Sequence, residues 1–107
     1  MAEYPVTKGP AFQPVHPGAI LREDVLPAFG LTIKDAAAAL GISRQMLHGI
    51  LAERHAITPE MAVRLGRLCG DGPGIWLRMQ TQHDLWLAER QLADEIERIP
   101  QLAPGPG

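Results

Sequence analysis

The chain has 107 residues, 46% of them apolar but only 5% aromatic, and a formal net charge of -2. That length suits one domain with one core, filled mainly by aliphatic side chains. The single cysteine, Cys69, rules out an intrachain disulfide. No apolar run approaches the roughly 18 residues of a membrane helix, so no membrane role is expected. Without a charged-then-apolar leader, the expected location is the cytoplasm. Val is sparse, so the chain reads as all-α.

Residues 1–15 contain Pro5, Gly9, Pro10 and Pro14 and read as a flexible arm. A first helix is predicted over residues 17–26, opened by Pro17 and stopped by Pro27 and Gly30. Leu21, Val25 and Phe29 are its expected buried stripe. Thr32 is a good N-cap for a second helix, with Asp35 three residues on. Ala36 and Ala37 leave room for a close neighbour, and Gly41 suits a left-handed turn. Ser43 is the expected cap of a third helix over residues 44–52. Leu47, Ile50 and Leu51 should face inward, and Arg44, Gln45 and His48 outward. Thr58 and Pro59 open a fourth helix that ends at Gly70, with Met61, Leu65 and Leu68 buried. A fifth, extended helix is predicted from Gly72 and Pro73 to Arg98. Pro100, Pro104 and Pro106 mark a disordered tail over residues 100–107.

Two short helices joined by a glycine turn, the second with exposed polar residues at its start, are the sequence form of a helix-turn-helix. An ordinary helical hairpin would share the small, glycine and apolar positions Ala37, Gly41, Leu47 and Ile50, so function must be argued from the polar residues. Arg44 can donate two hydrogen bonds to guanine, and Gln45 can pair with adenine. His48, one turn on, can reach a base or a phosphate, and Ser43 can cap the helix and touch the DNA. The alternative for all four is a solvated polar face. Lys34, Arg54 and His55 lie on flanking segments suited to phosphate contact.

Charge is distributed to match. Residues 34–68 carry five basic and three acidic side chains, residues 71–99 three and six. A mildly basic region can therefore meet phosphate while the other end stays acidic. His16, His48, His55 and His83 show no metal-ligand spacing, so no metal is expected. No phosphate loop or nucleophile elbow is present, so neither enzymatic activity nor a cofactor is expected. Leu85, Leu92 and Ile96 extend an apolar seam beyond what one small domain covers, which points to a homodimer or a protein partner.

The segments HPGAILRED at 16–24, GLTIKDAAAALGISRQMLHGIL at 30–51 and ITPEMAVRL at 57–65, with Trp76, Gln80 and HDLW at 83–86, resemble the HigA-type antitoxins. These are Xre-like helix-turn-helix proteins of toxin–antitoxin modules. The resemblance covers about residues 16–88. It implies a five-helix, lambda-repressor-like domain over residues 16–99 and a homodimer on double-stranded operator DNA. It also implies neutralisation of a HigB-type, mRNA-cleaving toxin. Base reading carries over to Ser43, Arg44, Gln45 and His48. The chain departs from the family at Met46, where a small polar residue is common. It departs again at Glu53, Arg54 and His55, where a Gly-Lys or Gly-Arg loop is usual, and at Gly72, where a Ser or Thr cap is usual. A stand-alone regulator without a toxin, and a helical module that binds only protein, are the alternatives.

Overall fold

The computed structural model describes residues 12–105, and these form six helices and no strand. Residues 1–11 of the expected arm, and residues 106–107 of the expected tail, lie outside the described residues.

Helix α1 spans residues 17–29 as one rod with three parts: Pro17–Ile20, a π-helical turn at Leu21–Val25, and Leu26–Phe29. This corrects two expectations. Pro27 does not end the helix, because the wider turn before it absorbs the break in the hydrogen-bond ladder. The Leu26 N–H donates to the Leu21 carbonyl, five residues back. The inserted residue also shifts the phase of the buried stripe. Leu21 and Leu26, five apart, are buried, whereas Phe29 is 57% exposed. Gly30, left-handed at φ 63°, is where the rod stops.

Helix α2 (Ile33–Leu40), the turn at Gly41 and helix α3 (Arg44–Leu51) follow. Thr32 caps α2 by accepting the Asp35 N–H at 3.0 Å, and Ser43 caps α3 by accepting the Met46 N–H at 3.0 Å. Gly41 takes φ 73°, the conformation in which a β-carbon is strained. Ala36 and Ala37 are fully buried, so their small size is what lets α2 and α3 cross closely.

Helix α4 (Pro59–Cys69) carries Thr58 at its N-cap and Pro59 in its first turn, and ends at left-handed Gly70. Met61, Ala62 and Leu65 are buried, and Leu68 packs half-buried against them. Helix α5 (Gly74–Gln91) inserts Trp76 into the core, where its indole N–H donates to Asp71 at 3.0 Å. Gln80, also buried, accepts the Ile57 N–H at 2.7 Å and donates to Asp84 at 3.0 Å. That side chain ties α5 to the loop ahead of α4, so a polar group in the core is satisfied on both sides.

The extended helix expected to reach Arg98 is broken. Leu92, at φ -102° and ψ 14°, ends α5 and begins helix α6 (Ala93–Arg98). No residue of α6 is buried, so no tertiary packing holds its axis in line with α5. Asp94 and Glu95 sit in the first turn of α6, where the helix dipole favours them.

His16 caps α1: its Nδ1 accepts the Gly18 N–H at 2.9 Å, and its ring meets His83 edge-on with centroids 4.9 Å apart. Burial above all, then the neighbouring His83, lowers its pKa below the usual 6.5, against opposing pulls from Glu53 and Asp84. The folded state therefore binds this proton less readily than the unfolded chain. The stability it contributes is complete above about pH 6.5 and is lost as pH falls through the lowered folded value. Urea midpoints are expected to drop on acidification below that point. The drop should be smaller in His16→Asn, which keeps a capping oxygen but does not titrate. Equal slopes in the two proteins would remove His16 as the cause.

Candidate nucleic-acid interface

The first turn and a half of α3 presents Arg44, Gln45, Met46 and His48 to solvent, while Leu47, Ile50 and Leu51 face the core. The outward residues Arg44 and His48 are four apart and Gln45 and His48 three apart, so the three share one helix face. Ser43 is exposed and occupied as the cap, with its hydroxyl oxygen on the Met46 N–H. Lys34 is exposed in the first turn of α2, and Arg54 is exposed in the loop between α3 and α4. The structure thus brings Arg44, Gln45 and His48 together and leaves Lys34 and Arg54 on flanking segments.

His55 is placed differently. Its ring lies against Gly49 of α3 rather than hanging off the loop, and a β-carbon built on Gly49 would overlap the ring's Cδ2 and Nε2. The loop is folded back by two bonds to the Gly49 carbonyl, from the Arg54 N–H at 2.8 Å and the His55 N–H at 3.2 Å. Glu53 makes the reversal at φ 64°, a left-handed position that favours glycine.

Two arginines support the interface from behind, and neither was legible as doing so. Arg22 of α1 donates to the Leu51 carbonyl at the end of α3, at 2.6 Å, and pairs with Glu53 at 3.3 Å. Arg64 of α4 donates to the Leu40 carbonyl at 2.8 Å and pairs with Glu60 at 3.1 Å. Each satisfies a carbonyl that a helix end leaves open, Arg64 at the turn and Arg22 at the far end of the helix-turn-helix. Only the Glu60–Arg64 spacing of four was visible in the sequence. A groove of about 540 Å³ opens between α3 and α4, lined in part by Ile42, Ser43, Met46, His55, Met61 and Arg64.

Among the described residues no group of three or more His, Cys, Asp or Glu is placed to hold a metal ion. No described helix is long and apolar enough to cross a membrane. Leu85, Leu92 and Ile96 are 54%, 48% and 45% exposed, respectively. They fall on both sides of the break at Leu92 rather than along one helix.

The left-handed glycine turn, the capped second helix and its polar outer face define a helix-turn-helix protein. The family model described as helix-turn-helix matches residues 21–76. The chain is 42% identical over 76 residues to virulence-associated protein I of Dichelobacter nodosus, covering 71% of this chain and 70% of that protein. It is similar in structure to the Pseudomonas aeruginosa antitoxin HigA solved with the higBA promoter. The TM-score is 0.77 and the identity 32%, over 82% of this chain and 96% of the other. It is similar also to antitoxin GraA in complex with its operator, with a TM-score of 0.79 and 36% identity, over 90% and 97% of the two chains. The chain belongs to the helix-turn-helix family, in the group of the HigA-type antitoxins.

Proposed function

We propose that this protein is a DNA-binding antitoxin that represses its own toxin–antitoxin operon and neutralises a HigB-type toxin by direct contact. The observation that carries the DNA half is the exposed row of Arg44, Gln45 and His48 on the first turns of α3. Its support is the likeness to antitoxins solved with promoter or operator DNA. Ser43, Arg44, Gln45 and His48 meet base edges, and Lys34 and Arg54 position the duplex through phosphates.

Binding is as a homodimer. A single short recognition helix reads few base pairs, and two-fold pairing places two such helices about 34–36 Å apart on successive major-groove turns. The exposed Leu85, Leu92 and Ile96 are the proposed seam. Sedimentation at micromolar concentration is expected to give a dimer, with Leu92→Glu shifted toward monomer. A parent protein that stays monomeric with and without DNA would sink this part.

The toxin half draws on charge. Residues 71–99 carry six acidic and three basic side chains, on segments other than the proposed recognition helix. A nuclease that grips RNA is expected to be basic, and an acidic surface steers it in. In the test, the chain is mixed with its own upstream DNA across a salt series, and co-expressed with the product of the adjacent small gene. A salt-dependent shift, growth rescue and a co-purifying complex are expected. A shift without any toxic neighbour favours the stand-alone regulator. A complex without a shift favours a module that binds only protein.

A further inference from the structure

Helix α3 has an unusual gap on its outer face. Gln45, Gly49 and Ala52 follow one another at spacings of four and three, the row that a helix in the major groove turns toward the bases. The last two have almost no side chain to read with. Gly49 is nevertheless buried, because the His55 ring covers it, while His55 itself is exposed. The imidazole thus occupies the space that a side chain at position 49 would fill, one helical turn from Gln45.

Resting on the DNA-binding reading above, we infer that His55 is a base-reading residue, delivered by the loop onto the recognition helix in place of a side chain at Gly49, and that it donates to the N7 edge of a purine. The backbone holds it there. The Arg54 and His55 N–H groups both bond the Gly49 carbonyl, and left-handed Glu53 turns the chain back over the helix. Arg22 fixes the same corner through the Leu51 carbonyl and Glu53. An imidazole keeps at least one N–H donor in either protonation state, and its short reach suits a group already seated on the helix. The major groove offers that donor the N7 acceptors of guanine and adenine. A phosphate-positioning residue would project from the flank of the helix, as Arg54 is free to do.

The test uses the full chain and a duplex that it enriches from a random library of roughly 20 base pairs, long enough for two half-sites one turn apart. Each purine is then replaced in turn by its 7-deaza analogue, which removes only the N7 acceptor. Beyond the purines whose N7 Arg44 and Gln45 contact, the parent is expected to lose about tenfold in affinity at one further purine per half-site. His55→Ala and Gly49→Ala should bind the unmodified duplex more weakly and lose that particular sensitivity. Gly49→Ala is the variant that separates reading from folding. The nearest atoms its β-carbon meets are all in the ring of the exposed His55 side chain, not backbone, so the ring swings away and the helix gains a better helix former. Its melting temperature should equal or exceed that of the parent.

If every 7-deaza effect of the parent persists in both variants, the inference is overturned while the DNA-binding reading stands. Uniform weakening at all positions, with the salt slope reduced by about one, would make His55 a phosphate contact and overturn it equally. If the parent enriches no duplex, the DNA-binding reading fails and this inference fails with it.

Discussion

Replacing Gly18 by alanine is expected to destabilise the domain by about 3 kcal/mol, the upper end of ordinary overpacking. Gly18 lies in the first turn of α1, and its α-carbon sits directly on the Ile50 carbonyl of α3. A β-carbon there overlaps the carbonyl oxygen and also presses the His16 ring at 3.1 Å. The obstacle is backbone in the last turn of α3, so it cannot rotate away as a side chain would. Relief requires α1 to lift off α3. That movement would loosen Leu21 and Ile50, both essentially fully buried, and break the His16 cap. Alanine's better helix propensity offsets only about 0.5–1 kcal/mol. For a domain of this size the melting temperature should fall by roughly 10 °C or more. A Gly18→Ala protein melting with the parent would mean that α1 does not approach α3 as closely as described. DNA affinity should fall only through the unfolded fraction.

Substitution at Arg44 and Gln45 should do the reverse, leaving the fold and removing recognition. Both side chains are exposed at the start of α3, and neither belongs to the core. Truncating either to alanine should change stability by no more than about 0.5 kcal/mol. At the cognate site, Arg44→Ala should cost about 1–3 kcal/mol per half-site, because a bidentate pair to guanine is lost, and base preference should relax at that position. Gln45→Ala should cost a similar amount at a different base. Toxin rescue should survive both, since the acidic C-terminal helices lie on other segments. Fluorescence anisotropy on operator variants, with thermal melts alongside, reads these effects. Parent-like operator binding by both variants would discard this recognition surface. Loss of operator binding and toxin rescue together in a folded Arg44→Ala protein would show instead that the two functions share a face.

Most of the architecture was readable from rules that act within a few residues. Thr32, Ser43 and Thr58 cap the helices they were expected to cap, and Gly30, Gly41 and Gly70 are left-handed where helices end. Each depends on a hydroxyl reaching an N–H three residues ahead, or on a missing β-carbon, and both are visible in a short window. The outward row of Arg44, Gln45 and His48 follows from the same helical period that buries Leu47 and Ile50. The turn and its polar face were therefore determined by sequence alone.

Tertiary structure decided the rest. Phe29 left the core because a π-helical turn, stabilised within the packed rod, moved the buried phase from Val25 and Phe29 to Leu26. The long C-terminal helix broke at Leu92, where burial runs out and no neighbour holds the axis straight. Arg22 and Arg64 look like ordinary surface charges in sequence. Each instead closes a carbonyl belonging to a helix more than 20 residues away along the chain. His55 stands on α3 because Gly49 leaves space for its ring and Glu53 turns the loop toward it. Caps and periodicity are local and can be read from one segment at a time. Carbonyls shared between segments, and a ring filling another residue's missing side chain, exist only once the helices have packed.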